Sequence, residues 1–293
     1  MNKSYTFGVL GGDMRQVYLS RLLTADGHRV FTHAMPEAAA ADLSELSGAD
    51  CVIFPLPVCS APGLLSAPLS GADQPIDPLL DLLHPGQLLC GGRPDEDTRS
   101  RFAVRGLALT DYFALEELTV ANAVPTAEGA VQLAMEQLPV TIHDLPVLIL
   151  GYGRVGRVTA RRFSALGARV TVAARRVQQQ AWARTEGFGA RPLPLSCNGL
   201  EQFQLVVNTV PAPILGREVL SQLSPTCPIL DLASAPGGLA PDCRAEFACR
   251  VTHAPGLPGK VAPVSAAGYI RDAVYGLLSA TQSSPRKEDQ LGK

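Results

Sequence analysis

Residues Pro146 to Arg176 read PVLILGYGRVGRVTARRFSALGARVTVAARR, and this stretch restricts the possible fold more than any other. The short apolar run Val147 to Leu150 suits a buried parallel strand. It passes directly into Gly151-Tyr152-Gly153-Arg154-Val155-Gly156, and then into a helical pattern with Val155, Val158, Phe163 and Leu166 on its apolar side. A second strand, Arg169 to Ala174, follows. Strand, glycine turn, helix and strand in this order predict a dinucleotide site. Gly151 permits the tight turn, Gly153 lets the backbone approach a pyrophosphate, and Gly156 lets the helix pack closely on the strand. A βαβ turn with a purely structural role is the plainer alternative.

The far end of this unit selects among cofactors. An acidic residue about twenty positions on would hold the ribose hydroxyls of NAD. Arg175 and Arg176 stand there instead. Their planar, permanently charged guanidiniums suit a 2′-phosphate, so the expected cofactor is NADP, with a solvated helix start as the alternative. Further along, Leu205 to Thr209 (LVVNT) and Ile229 to Leu232 (ILDL) read as strands whose carboxyl-end loops line the cofactor. Thr209, Val210 and Pro211 join the expected cofactor set there. So does Leu257, in the Gly- and Pro-rich stretch Ala254 to Pro263.

With 293 residues, 46% hydrophobic and 18% charged, the chain has material for two soluble domains. A net charge of −2, with no basic stripe interleaved with aromatics, argues against nucleic acid. No apolar run reaches bilayer length and the N-terminus lacks a secretory pattern, so a cytoplasmic protein without a membrane partner is expected. Seven scattered cysteines and five dispersed histidines offer no ligand spacing, and no metal is expected.

The first half has its own α/β rhythm: strand Tyr5 to Leu10, helix Met14 to Ala25, strand Arg29 to His33, then short strands at Cys51 to Pro57, Gln87 to Cys90 and Leu107 to Leu109. Val58 to Pro78 reads as a surface excursion. The expected fold is therefore α/β, with two Rossmann-like domains, parallel sheets flanked by helices, and a cleft between them. Residues 1–122 form the substrate domain and a helix over 123–138 crosses to the second. Residues 139–264 form the NADP domain, a helix over 265–282 packs back on the first, and 283–293 form a frayed tail.

Candidate substrate groups lie mostly in the first half. The turn Gly11-Gly12-Asp13-Met14-Arg15-Gln16 has the wrong spacing for a second dinucleotide, but free backbone amides with Arg15 would suit a small carboxylate. Alternatively, Asp13 caps the helix and Arg15 pairs with it. Arg93, after Gly91-Gly92, reaches the same region or is a surface arginine. Thr126 and Glu128 stand at the expected start of the crossing helix, where one binds a carboxylate and the other moves a proton, unless they form a capping pair. His253 is a general acid or base by its near-neutral titration, or a structural strand-end histidine.

Four segments in order, GGDMRQ (Gly11 to Gln16), NAVPTAEGA (Asn122 to Ala130), LGYGRVGR (Leu150 to Arg157) and APGLPGKVAP (Ala254 to Pro263), resemble the family of the dipicolinate synthase A subunit over nearly the whole chain. The resemblance implies an NADP-dependent enzyme of spore-forming bacteria at the branch from lysine biosynthesis. It would work with a flavoprotein-like B subunit to convert 4-hydroxy-tetrahydrodipicolinate to pyridine-2,6-dicarboxylate by dehydration and hydride transfer. Under that implication Arg15, Arg93 and Thr126 anchor the small dicarboxylate, and Glu128, then His253 or Asp13, removes the proton. Another two-domain NADP dehydrogenase of an amino or hydroxy acid, a non-catalytic NADP-binding subunit, and a homo-oligomeric assembly remain open.

Overall fold

The computed structural model describes residues 4–36 and 43–283. The chain divides into two compact units, residues 1–121 with 262–293, and residues 122–261.

Unit 1 begins with β1 (Thr6–Leu10), α1 (Met14–Ala25) and β2 (Arg29–His33). There follow β3 (Cys51–Ile53), a small hairpin of β4 (Cys59–Ala61) and β5 (Leu64–Leu65), and α2 (Asp77–Leu80). Then come β6 (Leu88–Gly91), α3 (Glu96–Val104) and β7 (Leu109–Asp111). The five main strands form an all-parallel sheet in the order β2-β1-β3-β6-β7. A parallel sheet needs apolar cover on both faces, and the strands comply. Phe7 and Val9 of β1 enter one core with Val17, Leu19 and Leu23 of α1, while Leu10 enters the other with Phe31, Leu46 and Leu65.

The segment expected as a surface excursion is anchored instead. Val58, Leu65 and Ile76 are fully or almost fully buried, because this stretch carries an apolar residue every few positions that the second core absorbs. The last strand also sits two residues later than expected, at Leu109–Asp111.

Helix α4 (Glu116–Gln137) starts seven residues earlier than its proline suggested. Pro125 lies inside the helix, where it has no N–H for the carbonyl of Ala121. The unit boundary between residues 121 and 122 falls within this helix. Small buried residues, Ala127, Ala130 and Ala134, form its packed stripe, whereas Met135 is exposed.

Unit 2 continues with β8 (Pro146–Leu150), α5 (Arg154–Ala165), β9 (Arg169–Ala174), α6 (Val177–Thr185), β10 (Gly189–Pro192) and β11 (Leu205–Asn208). It ends with α7 (Arg217–Gln222), β12 (Ile229–Asp231), α8 (Arg244–Phe247), β13 (Val251–His253) and α9 (Leu257–Val261). The sheet is all parallel in the order β10-β9-β8-β11-β12-β13. This is the doubly wound order, and the strand sequence reverses its progression between β8 and β11, where ligands of such sheets bind at the carboxyl edge. Val147 and Ile149 face one core while Leu148 and Leu150 face the other. On α5 the buried face is Gly156, Thr159, Ala160 and Phe163, and Leu166 is exposed. Small side chains let the helix lie closer to the sheet than the expected Val155 and Val158 face would allow.

The chain returns to unit 1 through α10 (Pro263–Ser283), which packs along α1 with Ala267, Ile270, Val274 and Leu278 in the first core. The expected frayed tail lies outside the described residues from position 284 on.

Candidate functional site

The turn after β8 explains each of its glycines differently. Gly151 has φ +93°, and a Cβ there would also meet Thr209 Oγ1 at 2.5 Å. At Gly156 a Cβ would stand 2.2 Å from the carbonyl oxygen of Gly151, so the helix can approach the turn only without a side chain. Gly153 is different. Its φ of −86° and ψ of −160° suit any residue, and a Cβ there would meet no protein atom within 4 Å. Nothing in the protein itself requires glycine at 153, and the open space before its backbone admits close approach of a ligand. Gly153 is also the N-cap of α5 and supplies no side-chain cap, and no acidic residue occupies the first turn. The N-terminus of α5 thus carries no side-chain acceptor of its own.

Arg154 is exposed and Val155 half-buried at this turn. Tyr152 lines the turn through its backbone alone. Its side chain is 3% exposed, packs edge-on against Phe188, and its phenol is pushed up to about 12 by burial and by the neighbouring Glu186 carboxylate. Arg157 and Arg161 both hold that carboxylate, at 3.1 and 2.8 Å.

The loop after β11 closes the other side. Thr209 donates its backbone N–H and its hydroxyl to Leu150, at 2.9 and 2.8 Å, and the half-buried Val210 and exposed Pro211 follow. Arg175 and Arg176 are exposed just past the end of β9, and neither guanidinium has a hydrogen bond or ion pair to protein among the described residues.

The Gly- and Pro-rich stretch carries a short helix, α9, and Leu257, of the expected cofactor set, is 3% exposed. It packs over Gly129 of α4, where a Cβ would meet it at 3.1 Å. Its side chain is part of the packing and faces no open surface. Lys260, in the last turn of α9, is exposed.

At the carboxyl ends of β12 and β13 lies a cluster that the sequence did not single out. Asp231 is 3% exposed and Asn208 fully buried. Asn208 Nδ2 and the Ala233 amide donate to Asp231 Oδ1 at 2.8 and 3.2 Å, and the Gly238 amide donates to Oδ2 at 2.8 Å. His253, paired opposite Asp231 in the sheet, turns Nδ1 toward Oδ2 at 3.8 Å and is half exposed. The only prior signal was a polar residue closing each apolar strand.

Glu128 and Thr126 do not begin a helix; both lie well inside α4 because the helix starts at Glu116. Thr126 is buried and its single hydroxyl proton is directed to the Asn122 carbonyl at 2.8 Å, so this donor is already committed within the helix. Glu128 is exposed and stands 3.5 Å from Arg162.

In unit 1 the glycine turn after β1 is closed. The amides of Gly11 and Gly12 donate to His33 and Ser66 carbonyls at 2.8 and 2.6 Å, which corrects the expectation of amides free for a carboxylate. Asp13 caps α1 by accepting from the Arg15 amide at 3.0 Å, and its carboxylate takes the Arg15 guanidinium at 2.9 Å on each oxygen. Arg15 also donates to the Leu56 carbonyl and is 7% exposed. The side chain of Leu56 covers Gly92, so the neighbouring Arg93 belongs to the same carboxyl edge. Arg93 holds a left-handed φ of +51°, uncommon for its type, with its amide bound to Asp111 Oδ1 at 3.0 Å and its guanidinium over the Phe113 ring. This edge therefore collects Asp13, Arg15, Arg93 and Asp111.

No group of three or more His, Cys, Asp or Glu side chains able to hold a metal occurs among the described residues, and no helix there is long and apolar enough to cross a membrane.

Fold and turn define a class first: α/β proteins of the two-domain dehydrogenase build. The apo structure of D-lactate dehydrogenase from Escherichia coli shares this fold at a TM-score of 0.60 and 12% identity, covering 94% of this chain and 97% of that one. More specifically, residues 6–113 match the family model described as the N-terminal domain of the dipicolinate synthase A subunit. The dipicolinate synthase A subunit of Bacillus subtilis (strain 168) is 31% identical over 293 residues, covering 95% of this chain and 97% of the relative. The crystal structure of the dipicolinate synthase A chain from Bacillus subtilis superposes at a TM-score of 0.81 with 28% identity, covering 96% and 98%. The chain belongs to the family of the dipicolinate synthase A subunit.

Proposed function

We propose that the chain is an NADP-dependent oxidoreductase subunit that forms pyridine-2,6-dicarboxylate from 4-hydroxy-tetrahydrodipicolinate. Family membership supports the product. The observation that carries the choice of cofactor is the pair Arg175 and Arg176, exposed and without protein partners among the described residues, at the strand end where an acidic residue would favour NAD. The residues fit the group: Gly153 leaves room for a pyrophosphate, α5 offers amides, and two guanidiniums suit the 2′-phosphate.

Oxidised NADP, when bound, supplies the hydride acceptor. The chain's residues account for the rest. Loss of water gives a dihydropyridine, which must then release one hydride and one proton to become aromatic. His253 is the proton acceptor in this reading, since its ring is half exposed and faces a buried carboxylate. Glu128 and Asp13 already meet arginines, at 3.5 and 2.9 Å. Arg93 anchors a substrate carboxylate, and Arg15, buried and held by Asp13 and the Leu56 carbonyl, orders the edge beside it. A flavoprotein-like B subunit completes the enzyme, and the seven free thiols suit the reducing cytoplasm.

The test is a pair of measurements. Arg175→Ala with Arg176→Ala is expected to weaken NADP binding by about 100-fold while NAD binding changes little. The purified chain, with and without the B subunit, is then assayed for NADPH formation with 4-hydroxy-tetrahydrodipicolinate and with simple 2-hydroxy acids. Equal losses for both nucleotides would remove the phosphate assignment. Turnover of only the hydroxy acids would change the substrate, and tight binding without turnover would make the chain a non-catalytic NADP-binding subunit.

A further inference from the structure

We infer that Asp231 is a positioning residue for His253, fixing which imidazole nitrogen is free to take a proton. This rests on the reading above in which His253 is the proton acceptor.

A carboxylate offers about four lone-pair directions. Three of those on Asp231 are filled by Asn208 Nδ2, the Ala233 amide and the Gly238 amide. Oδ2, which takes the Gly238 amide, keeps one direction more and lies 3.8 Å from His253 Nδ1. The carboxylate has little freedom to turn away. Asn208 is itself fixed, taking the Val210 amide on Oδ1 at 3.0 Å and donating to the Val210 carbonyl at 3.0 Å. The loop above is pressed onto the pair: a Cβ at Gly237 would meet Asp231 Oδ2 at 2.7 Å, and one at Gly238 would meet Asn208 Nδ2 at 2.2 Å.

Holding the 233–238 loop needs only the Ala233 and Gly238 amides, and tying β12 to β11 only Asn208 Nδ2. The fourth direction has a different consequence. An ionised Asp231 favours the neutral imidazole that carries its proton on Nδ1, which leaves the lone pair on Nε2. When a ring proton moves to Nε2, the electron pair of the broken bond stays in the ring, and the imidazolium forms beside a fixed negative charge. The 3.8 Å separation is longer than a hydrogen bond, as is common for such contacts before substrate binds. Thr209, Val210 and Pro211 directly follow Asn208 at the carboxyl end of β11, the neighbour of β12, so the pair lies on the carboxyl edge where the nucleotide is proposed to bind.

The experiment uses the full chain labelled with 15N-histidine. In the wild type, neutral His253 is expected to carry its proton on Nδ1, and in Asp231→Asn to shift toward the Nε2–H form. Asp231→Asn should lower kcat by about 100-fold while KM for the dicarboxylate and Kd for NADP stay within about twofold. The double variant with His253→Gln should be no slower than the slower single variant. An Nε2–H tautomer in the wild type would overturn the inference, and this spectrum decides even if Asp231→Asn does not fold. Unchanged turnover in Asp231→Asn, with His253→Gln inactive, would also overturn it. Unchanged turnover in His253→Gln would instead remove the proton-acceptor reading on which it rests.

Discussion

Two of the glycine-containing strand-to-helix turns, those after β1 and after β8, are opposites. After β1, the Gly11 and Gly12 amides are bound to His33 and Ser66, Asp13 caps the helix, and Arg15 is paired with that cap. After β8, the helix has no side-chain cap, and Gly153 sits in a conformation open to any residue with empty space in front of it. Glycine content does not separate the two. What separates them is the helix cap: Asp13 accepts from the first turn of α1, whereas Gly153 brings no side chain to α5. The closed turn is sealed by its own carboxylate; the open one leaves its helix end without an acceptor side chain.

Four experiments would break or sharpen this contrast. The largest effect belongs to Gly156→Ala, whose Cβ would lie 2.2 Å from the Gly151 carbonyl oxygen. Backbone cannot yield cheaply, so calorimetry should show dinucleotide binding weakened by more than about 100-fold together with a lower Tm. Normal binding would mean the turn does not touch the nucleotide.

Gly153→Ala should act on binding alone. A Cβ there meets no protein atom, so Tm should stay within about 2 °C while Kd for the nucleotide rises by about tenfold. Equal affinity in this variant would erase the distinction between the two turns. On the closed turn, Asp13→Ala removes a cap and an ion pair, and denaturant unfolding should register a loss of about 1 kcal/mol with nucleotide affinity unchanged.

A loss of similar size, confined to neutral pH, lies behind the open turn, at Glu186. Burial raises its carboxyl pKa, but Arg161 and Arg157 outweigh burial and hold it below the ordinary 4.5. A group depressed in the folded state stabilises above its unfolded pKa, and this contribution fades as pH falls through the folded value. Glu186→Gln should therefore cost about 1 kcal/mol at neutral pH, and the difference from wild type should close in acid below 4.5. A gap that persists there would assign the effect to packing.

Much of the fold could be read from local pattern. Apolar runs such as Val147 to Leu150 with a glycine turn behind them define strand, turn and helix within one short window, and the twofold burial of the sheets follows from continuous apolar strands. The errors arose where a distant partner decides. Pro125 looked like a helix start because the sequence does not show that the preceding turns, Glu116 to Val124, have packing to sustain them. The GGD turn looked open because its acceptor at Ser66 lies more than fifty residues away. Asp231 and Asn208 were invisible as a pair for the same reason: each merely ends a strand, and only the sheet register joins them to each other and to His253.

Unit 1 is built from two separate stretches of the chain, with α10 returning to cover α1 and β1 after the whole of unit 2 has been traversed. During synthesis, then, the first sheet leaves the ribosome with one apolar layer bare, and the side chains that close it, Ala267, Ile270, Val274 and Leu278, are translated only after all of unit 2. Maturation of the N-terminal lobe is thereby a late event, and a transcript cut short before position 263 would yield a nucleotide-type lobe attached to an unfinished, aggregation-prone neighbour.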